Sequence, residues 1–136
     1  MSRRIAVFLA CLPLPLSAGQ IEVAVTGLQS RAGSILCALH DGPKGFPGGA
    51  HLASAGVPAD GTALCLFRDV GPGRYAVAVL HDENGNGRLD TNALGIPSEP
   101  WGVSLGARPL MRAPRFDEAA FAHDGAAQVL TVRVGR

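Results

Sequence analysis

The sequence predicts an all-β fold, a two-sheet sandwich of about seven strands with long irregular loops, and three observations carry that prediction. Helix periodicity is nearly absent. Both ends of the domain alternate apolar and polar residues with a period of two, as in Ile21-Glu22-Val23-Ala24-Val25-Thr26 and Val129-Leu130-Thr131-Val132-Arg133-Val134. Between them lie three denser apolar runs, Ser34 to Leu39, Ala63 to Phe67 and Tyr75 to Leu80, each bounded by Gly, Pro or Asp. Half-buried strands at the ends and apolar strands inside are what two stacked sheets require.

Residues 1–18 read as a secretory signal. Arg3 and Arg4 precede a short apolar run, Ile5 to Leu12, that Pro13 and Pro15 break before the small residues Ser17, Ala18 and Gly19. The run is far below the ~20 residues that cross a bilayer, and no later segment reaches that length, so no membrane span is expected. Cys11 lies inside the apolar run, which continues past it, and Phe8 stands where a lipoprotein signal has leucine, so the expectation is a cleaved signal and a periplasmic or secreted protein. Residues 19–136 then form a single domain.

The first strand starts at Ile21, and Leu28 to Gly33 turns the chain into the second, Ser34 to Leu39. The stretch from Asp41 to Gly61 is rich in Gly and Pro and reads as irregular. The third strand, Ala63 to Phe67, is joined to the fourth, Tyr75 to Leu80, by Asp69-Val70-Gly71-Pro72-Gly73, whose two glycines are free to take positive φ. Tyr75 after a Pro-Gly turn fits a sheet-corner position, with its hydroxyl on a backbone partner. Thr91 to Ala126 is a second long irregular stretch. Within it Pro114 to Phe121 has the proline and early acids of a helix start, so a turn or two of helix should place Phe116, Ala120 and Phe121 on one face. Loops this long in a small domain call for a function or a pin.

Charge argues against two partner classes. Without Arg3 and Arg4, ten of the 12 basic residues remain against 11 acidic ones, which leaves no basic face for nucleic acid and no polybasic stretch for a membrane surface. Cys37 and Cys65 remain as an even pair in an exported chain, which favours a disulfide over two buried free thiols.

The chemically specific segment is His81-Asp82-Glu83-Asn84-Gly85-Asn86-Gly87-Arg88-Leu89-Asp90. Side-chain oxygens fall at Asp82, Asn84, Asn86 and Asp90, and Gly87 follows the third. That is the opening of a calcium loop. A hard cation of this kind takes six to eight oxygens at about 2.4 Å, and alternate residues of a tight coil can converge on one point. The carbonyl of Arg88 would add a ligand, and Leu89 is expected to turn inward. An EF-hand would place Glu where Ala93 stands and a helix where a strand leads in, so the missing ligand must come from Glu99 or Asp117. Two formal charges imply weak affinity, with Kd on the order of 10⁻⁴ to 10⁻³ M. The bland alternative is an Asn-Gly turn with Asx side chains capping the backbone, which leaves Asp82 and Asp90 unexplained.

Other constellations are thinner. Trp101 beside Glu99, with Phe46 in the other long loop, could form an aromatic platform for a carbohydrate or a peptide. His81, Asp82, Glu99 and Asp117 could form a hydrolytic site, although no Ser or Cys stands in a nucleophile setting. His40, His51, His81 and His123 lack the short-range spacing of zinc ligands.

The run Gly73 to Asn92, followed by Gly95-Ile96-Pro97-Ser98-Glu99-Pro100-Trp101-Gly102, resembles the bacterial family known as domain of unknown function 2141. Pro114-Arg115-Phe116-Asp117-Glu118-Ala119 matches its closing pattern, and Phe46-Pro47 its early Phe-Pro. The resemblance covers the chain from Gln20 onward. It implies an exported bacterial β-sandwich, prealbumin-like or carboxypeptidase-regulatory-like in outline, with no activity assigned; the expectation drawn here is a non-enzymatic module on a prealbumin-like or immunoglobulin-like sandwich. The expected partner is a protein or glycan of the cell envelope, and the expected state a monomer.

Overall fold

A computed structural model describes residues 18–136, so the signal region and Cys11 lie outside the described residues. The elements in order are β1 (Ile21–Thr26), β2 (Ser34–His40), β3 (Ala53–Pro58), β4 (Leu64–Phe67), β5 (Gly73–Asp82), β6 (Trp101–Val103), a 3-10 turn (Ser104–Gly106), α1 (Phe116–Ala119), β7 (Phe121–His123) and β8 (Gln128–Arg133). They form two sheets, as the periodicity predicts. One has the order β4-β1-β8, with β1 antiparallel to β4 and parallel to β8. The other runs β3-β2-β5-β6, with β7 also paired to β5.

Alternation along β1, β2, β4 and β5 sends Ile21, Val23, Ile35, Leu39, Phe67, Val77 and Val79 into the space between the sheets, where they form the main core. Cys37 on β2 and Cys65 on β4 belong to that core and form a disulfide that crosses from sheet to sheet, with their Cα atoms 6.5 Å apart.

β2 and β5 are apolar on their other face as well, because a second cluster covers it. Ala76 of β5, Val103, Phe116 and Ala119 are its buried members, with Phe46 and Trp101 packed against them. Phe116 and Ala120 share this outer cluster as expected, while Phe121 joins the main core instead, because the helix ends at Ala119 and Phe121 already lies in β7. β4 also departs from expectation. Leu64 and Leu66 face outward and are exposed, which makes it a one-sided edge strand.

One edge of β5 is shared by two short strands. β7 pairs with Gly73 to Tyr75 and β6 with Ala78 to Leu80. Between them the Val77 N–H donates to the Ser104 hydroxyl (3.0 Å), which in turn donates to the Ala119 carbonyl (2.6 Å). A side chain thus closes the gap in the ladder, as a buried backbone donor demands. At the other end of β4, Asp69 takes the left-handed conformation (φ 57°) in place of the glycines beside it. The Tyr75 hydroxyl donates to the Gly71 carbonyl at 2.8 Å, the corner contact expected of it.

His40 closes β2 under the 41–52 loop. It is buried, lies edge-on to Phe46 with ring centroids 5.1 Å apart, and its nitrogens make no hydrogen bond. Burial, and then the neighbouring His51, pushes its pKa below the ordinary 6.5. The unfolded chain therefore takes the proton first, so His40 contributes stability that is present above pH 6.5 and fades as pH falls below it toward the depressed value. Thermal melts between pH 7.5 and 5 should show a falling Tm whose slope flattens in His40→Leu. An identical slope in that variant would remove His40 as a cause.

Candidate metal-binding loop

The loop leaves the last residue of β5, so a strand aims its first acid. Asp82 is only 2 % exposed. Its Oδ2 accepts from the Gly87 N–H at 2.8 Å, while Oδ1 is buried with no hydrogen-bond partner. An ionised oxygen left so is costly unless a cation or water serves it. Gly85 and Gly87 have φ of 72° and 79°, the left-handed values that coil the loop back over Asp82.

Asp90 closes the coil. The Asn86 amide donates to its Oδ1 at 2.6 Å and the Asn84 amide to its Oδ2. These two bonds, Asn86 first, hold the Asp90 carboxyl below the ordinary carboxylate range and keep it ionised. The Asn oxygens are used too. Asn84 Oδ1 accepts from the Asn86 N–H (3.2 Å) and Asn86 Oδ1 from the Arg88 N–H (3.1 Å), each keeping a second lone pair. Asn84, Asn86 and Asp90 are thus directly bonded to one another, and the Gly87 N–H ties Asp82 to the same coil.

Glu99 arrives from the far side of the following segment and is buried. Its Oε2 accepts from the Glu83 N–H (2.7 Å) and its Oε1 from the Asp90 N–H (3.2 Å), so its carboxylate braces both ends of the loop through the backbone. Asp117, the other acid considered, forms an ion pair with Arg74 at 2.8 Å near the start of β5. Eight residue steps along the strand separate Arg74 from Asp82, which is roughly 26 Å. Asp117 is therefore neither a ligand to this loop nor part of a site with Asp82. His81 also turns away, its Nε2 2.7 Å from the Ala32 carbonyl. The four residues weighed as a hydrolytic site therefore do not converge.

Leu89 does not anchor the loop: it is 38 % exposed. The anchoring comes from residues that sequence reading missed. Glu83 accepts from the Ser30 hydroxyl (2.8 Å) and from Arg136, which also donates to the Ser98 carbonyl (2.9 Å). These partners lie 53 and 38 residues apart, beyond any local signal. Beyond Asp90 the chain forms a small hairpin. Ser98 donates N–H to the Asp90 carbonyl (2.8 Å), and Asn92 Oδ1 accepts from the N–H groups of Leu94 and Ile96.

The aromatic platform does not assemble. Trp101 is half-buried with the Arg108 guanidinium 4.0 Å above its ring, and Phe46 packs edge-on to Phe116. Among the described residues no three His, Cys, Asp or Glu side chains gather as a metal cluster. A calcium loop draws equally on amide and backbone oxygens, which such a gathering does not include. The donor types present suit a hard cation: the carboxylates of Asp82 and Asp90, the first with a buried oxygen that has no partner, and two amide oxygens that each keep a second lone pair.

The family model described as an uncharacterized protein conserved in bacteria (DUF2141) matches residues 23–131. No curated protein and no solved structure matches the chain.

Proposed function

From the premise that this chain belongs to the DUF2141 family, we propose that it is an exported, non-enzymatic β-sandwich module whose 82–90 loop takes a calcium ion to fix the segment that follows. The observation that carries this reading is the buried, unpartnered Oδ1 of Asp82 at the base of a coil of oxygens. Asp82, Asn84, Asn86, Asp90 and the carbonyl of Arg88 would hold the ion. Glu99 would act on it through the backbone of Glu83 and Asp90, since both its oxygens already serve those N–H groups. The ion would supply positive charge among carboxylates and nothing more. An exported location is supported by the signal-like residues 1–18 and by the disulfide.

The test is thermal melting in calcium against EGTA, with magnesium as the control. At ten times Kd the ion should add about 1.4 kcal/mol, by RT ln(1 + [L]/Kd), which is roughly 5 °C for a domain of this size. Asp82→Asn keeps an oxygen for the Gly87 N–H but loses the charge, and should abolish the gain. Identical melts with 10 mM calcium and with EGTA, together with no binding heat, would sink the reading.

A further inference from the structure

The 82–90 loop holds two Asn-Gly pairs, Asn84-Gly85 and Asn86-Gly87, and the fold treats them almost alike. Both are exposed. Each asparagine Oδ1 accepts from the N–H two residues on, that of Asn86 for Asn84 and that of Arg88 for Asn86. Each amide nitrogen donates to one oxygen of Asp90, and each asparagine is followed by a glycine in the left-handed region. One contact breaks the likeness. The Gly87 N–H donates to the Asp82 carboxylate at 2.8 Å, whereas the Gly85 N–H has no acceptor among the described residues. A Cβ placed on Gly85 would meet nothing within 4 Å, so its nitrogen is open to water.

That difference has a chemical consequence. The Cγ of an asparagine amide is an electrophile beside the next backbone nitrogen, which can attack once its proton leaves. Glycine obstructs this attack least, having no side chain. At Asn84 the nucleophile is uncapped, and the oxygen on which negative charge gathers already accepts from the Asn86 N–H at 3.2 Å. The bond from the Gly85 nitrogen to Cγ forms and the Cγ–Nδ2 bond breaks. Water takes the backbone proton and returns one to the amide, which leaves as ammonia. A second water opens the resulting succinimide at either carbonyl, leaving aspartate or isoaspartate at position 84. At Asn86 the same attack needs the Gly87 nitrogen. Deprotonating it would sacrifice a charge-assisted hydrogen bond and set an amide anion against the Asp82 carboxylate.

We propose that Asn84 is a site of spontaneous deamidation, with water as the only co-reactant, and that the Asp82 contact spares Asn86. The product unlocks the coil. An amide that donates to Asp90 becomes a carboxylate facing it, so one of the two side-chain bonds closing the loop is replaced by repulsion. The reaction draws on none of the loop's proposed affinity for calcium, so its test is run in EGTA.

The folded full chain is incubated in mildly alkaline buffer beside a urea-unfolded, reduced sample, and tryptic peptides are mapped over time by mass spectrometry. Tyr75 to Arg88 is one tryptic peptide, so fragmentation places the change at one asparagine or the other. In the folded protein Asn84 should convert about tenfold faster than Asn86, the factor expected from breaking one charge-assisted hydrogen bond. In urea, where that bond is gone, the two should convert at similar rates. The Tm of the folded parent should fall as conversion proceeds. Gly85→Ala, whose methyl shields the nitrogen, should convert more slowly and hold its own starting Tm. Equal rates at the two asparagines of the folded protein, or conversion confined to the unfolded sample, overturns the proposal. A parent Tm that stays constant after Asn84 has converted overturns the unlocking of the coil.

Discussion

Replacing both Cys37 and Cys65 by alanine is expected to lower the unfolding free energy by about 3 kcal/mol and Tm by roughly 12 °C. The bridge spans 28 residues of sequence, and closing a loop of that length in the unfolded chain removes an entropy worth about 3 kcal/mol. The position adds to the argument. Cys37 pairs with Ala55 and Val79 in one sheet and Cys65 with Val23 in the other, so the crosslink ties the two layers at the middle of the core. Both residues are at most 1 % exposed, so reductant should reach the bond only after the sheets part. Urea unfolding with and without dithiothreitol measures the effect. A double variant within 1 kcal/mol of the oxidised parent would mean that the crosslink contributes little.

That pairing of sheets was half legible beforehand, and the reasons are particular. β1, β2, β4, β5 and β8 announce themselves because Ile, Val and Leu recur at the strand period. β3 hides in Ala-Ser-Ala-Gly-Val-Pro, a sequence with almost no strand preference that is held by its ladder to β2. β6 and β7 are three residues each, shorter than one full period signal, and exist because β5 is long enough to template both. The loop was legible because its oxygens are local in sequence and its coil follows from two glycines. Its supports were not. Nothing about Ser30, Arg136 or Gly33 marks them as neighbours of Asp82 and Glu83 until the sheets bring the chain ends together. The inward Leu89 failed for a related reason: an anchor borrowed from helix-flanked loops is unnecessary where a strand already fixes the first acid.

Gly33→Ala should be the most damaging single methyl in the molecule outside the core. Gly33 has φ 68°, which alone costs a side chain about 1 kcal/mol. The added Cβ would also stand 2.0 Å from the Asp82 carbonyl oxygen and 2.9 Å from two backbone atoms of Glu83. These are backbone atoms of β5 and its exit, locked by the pairing of Ser34 with Asp82, so no side chain can swing aside. The strand end must move, at an expected total of 3 kcal/mol or more. Gly85→Ala is the matched control: its φ is 72°, yet a Cβ there meets nothing within 4 Å, so only the conformational cost of about 1 kcal/mol should appear. The difference between the two variants in thermal or urea unfolding isolates the close approach. If the loop takes calcium as proposed, the calcium response separates them again, because displacing Asp82 and Glu83 disturbs the buried Asp82 oxygen. Gly33→Ala should therefore lose the calcium-induced gain in Tm that Gly85→Ala retains. Equal melting of the two variants would mean that β2 and the loop base do not meet as closely as their backbones require.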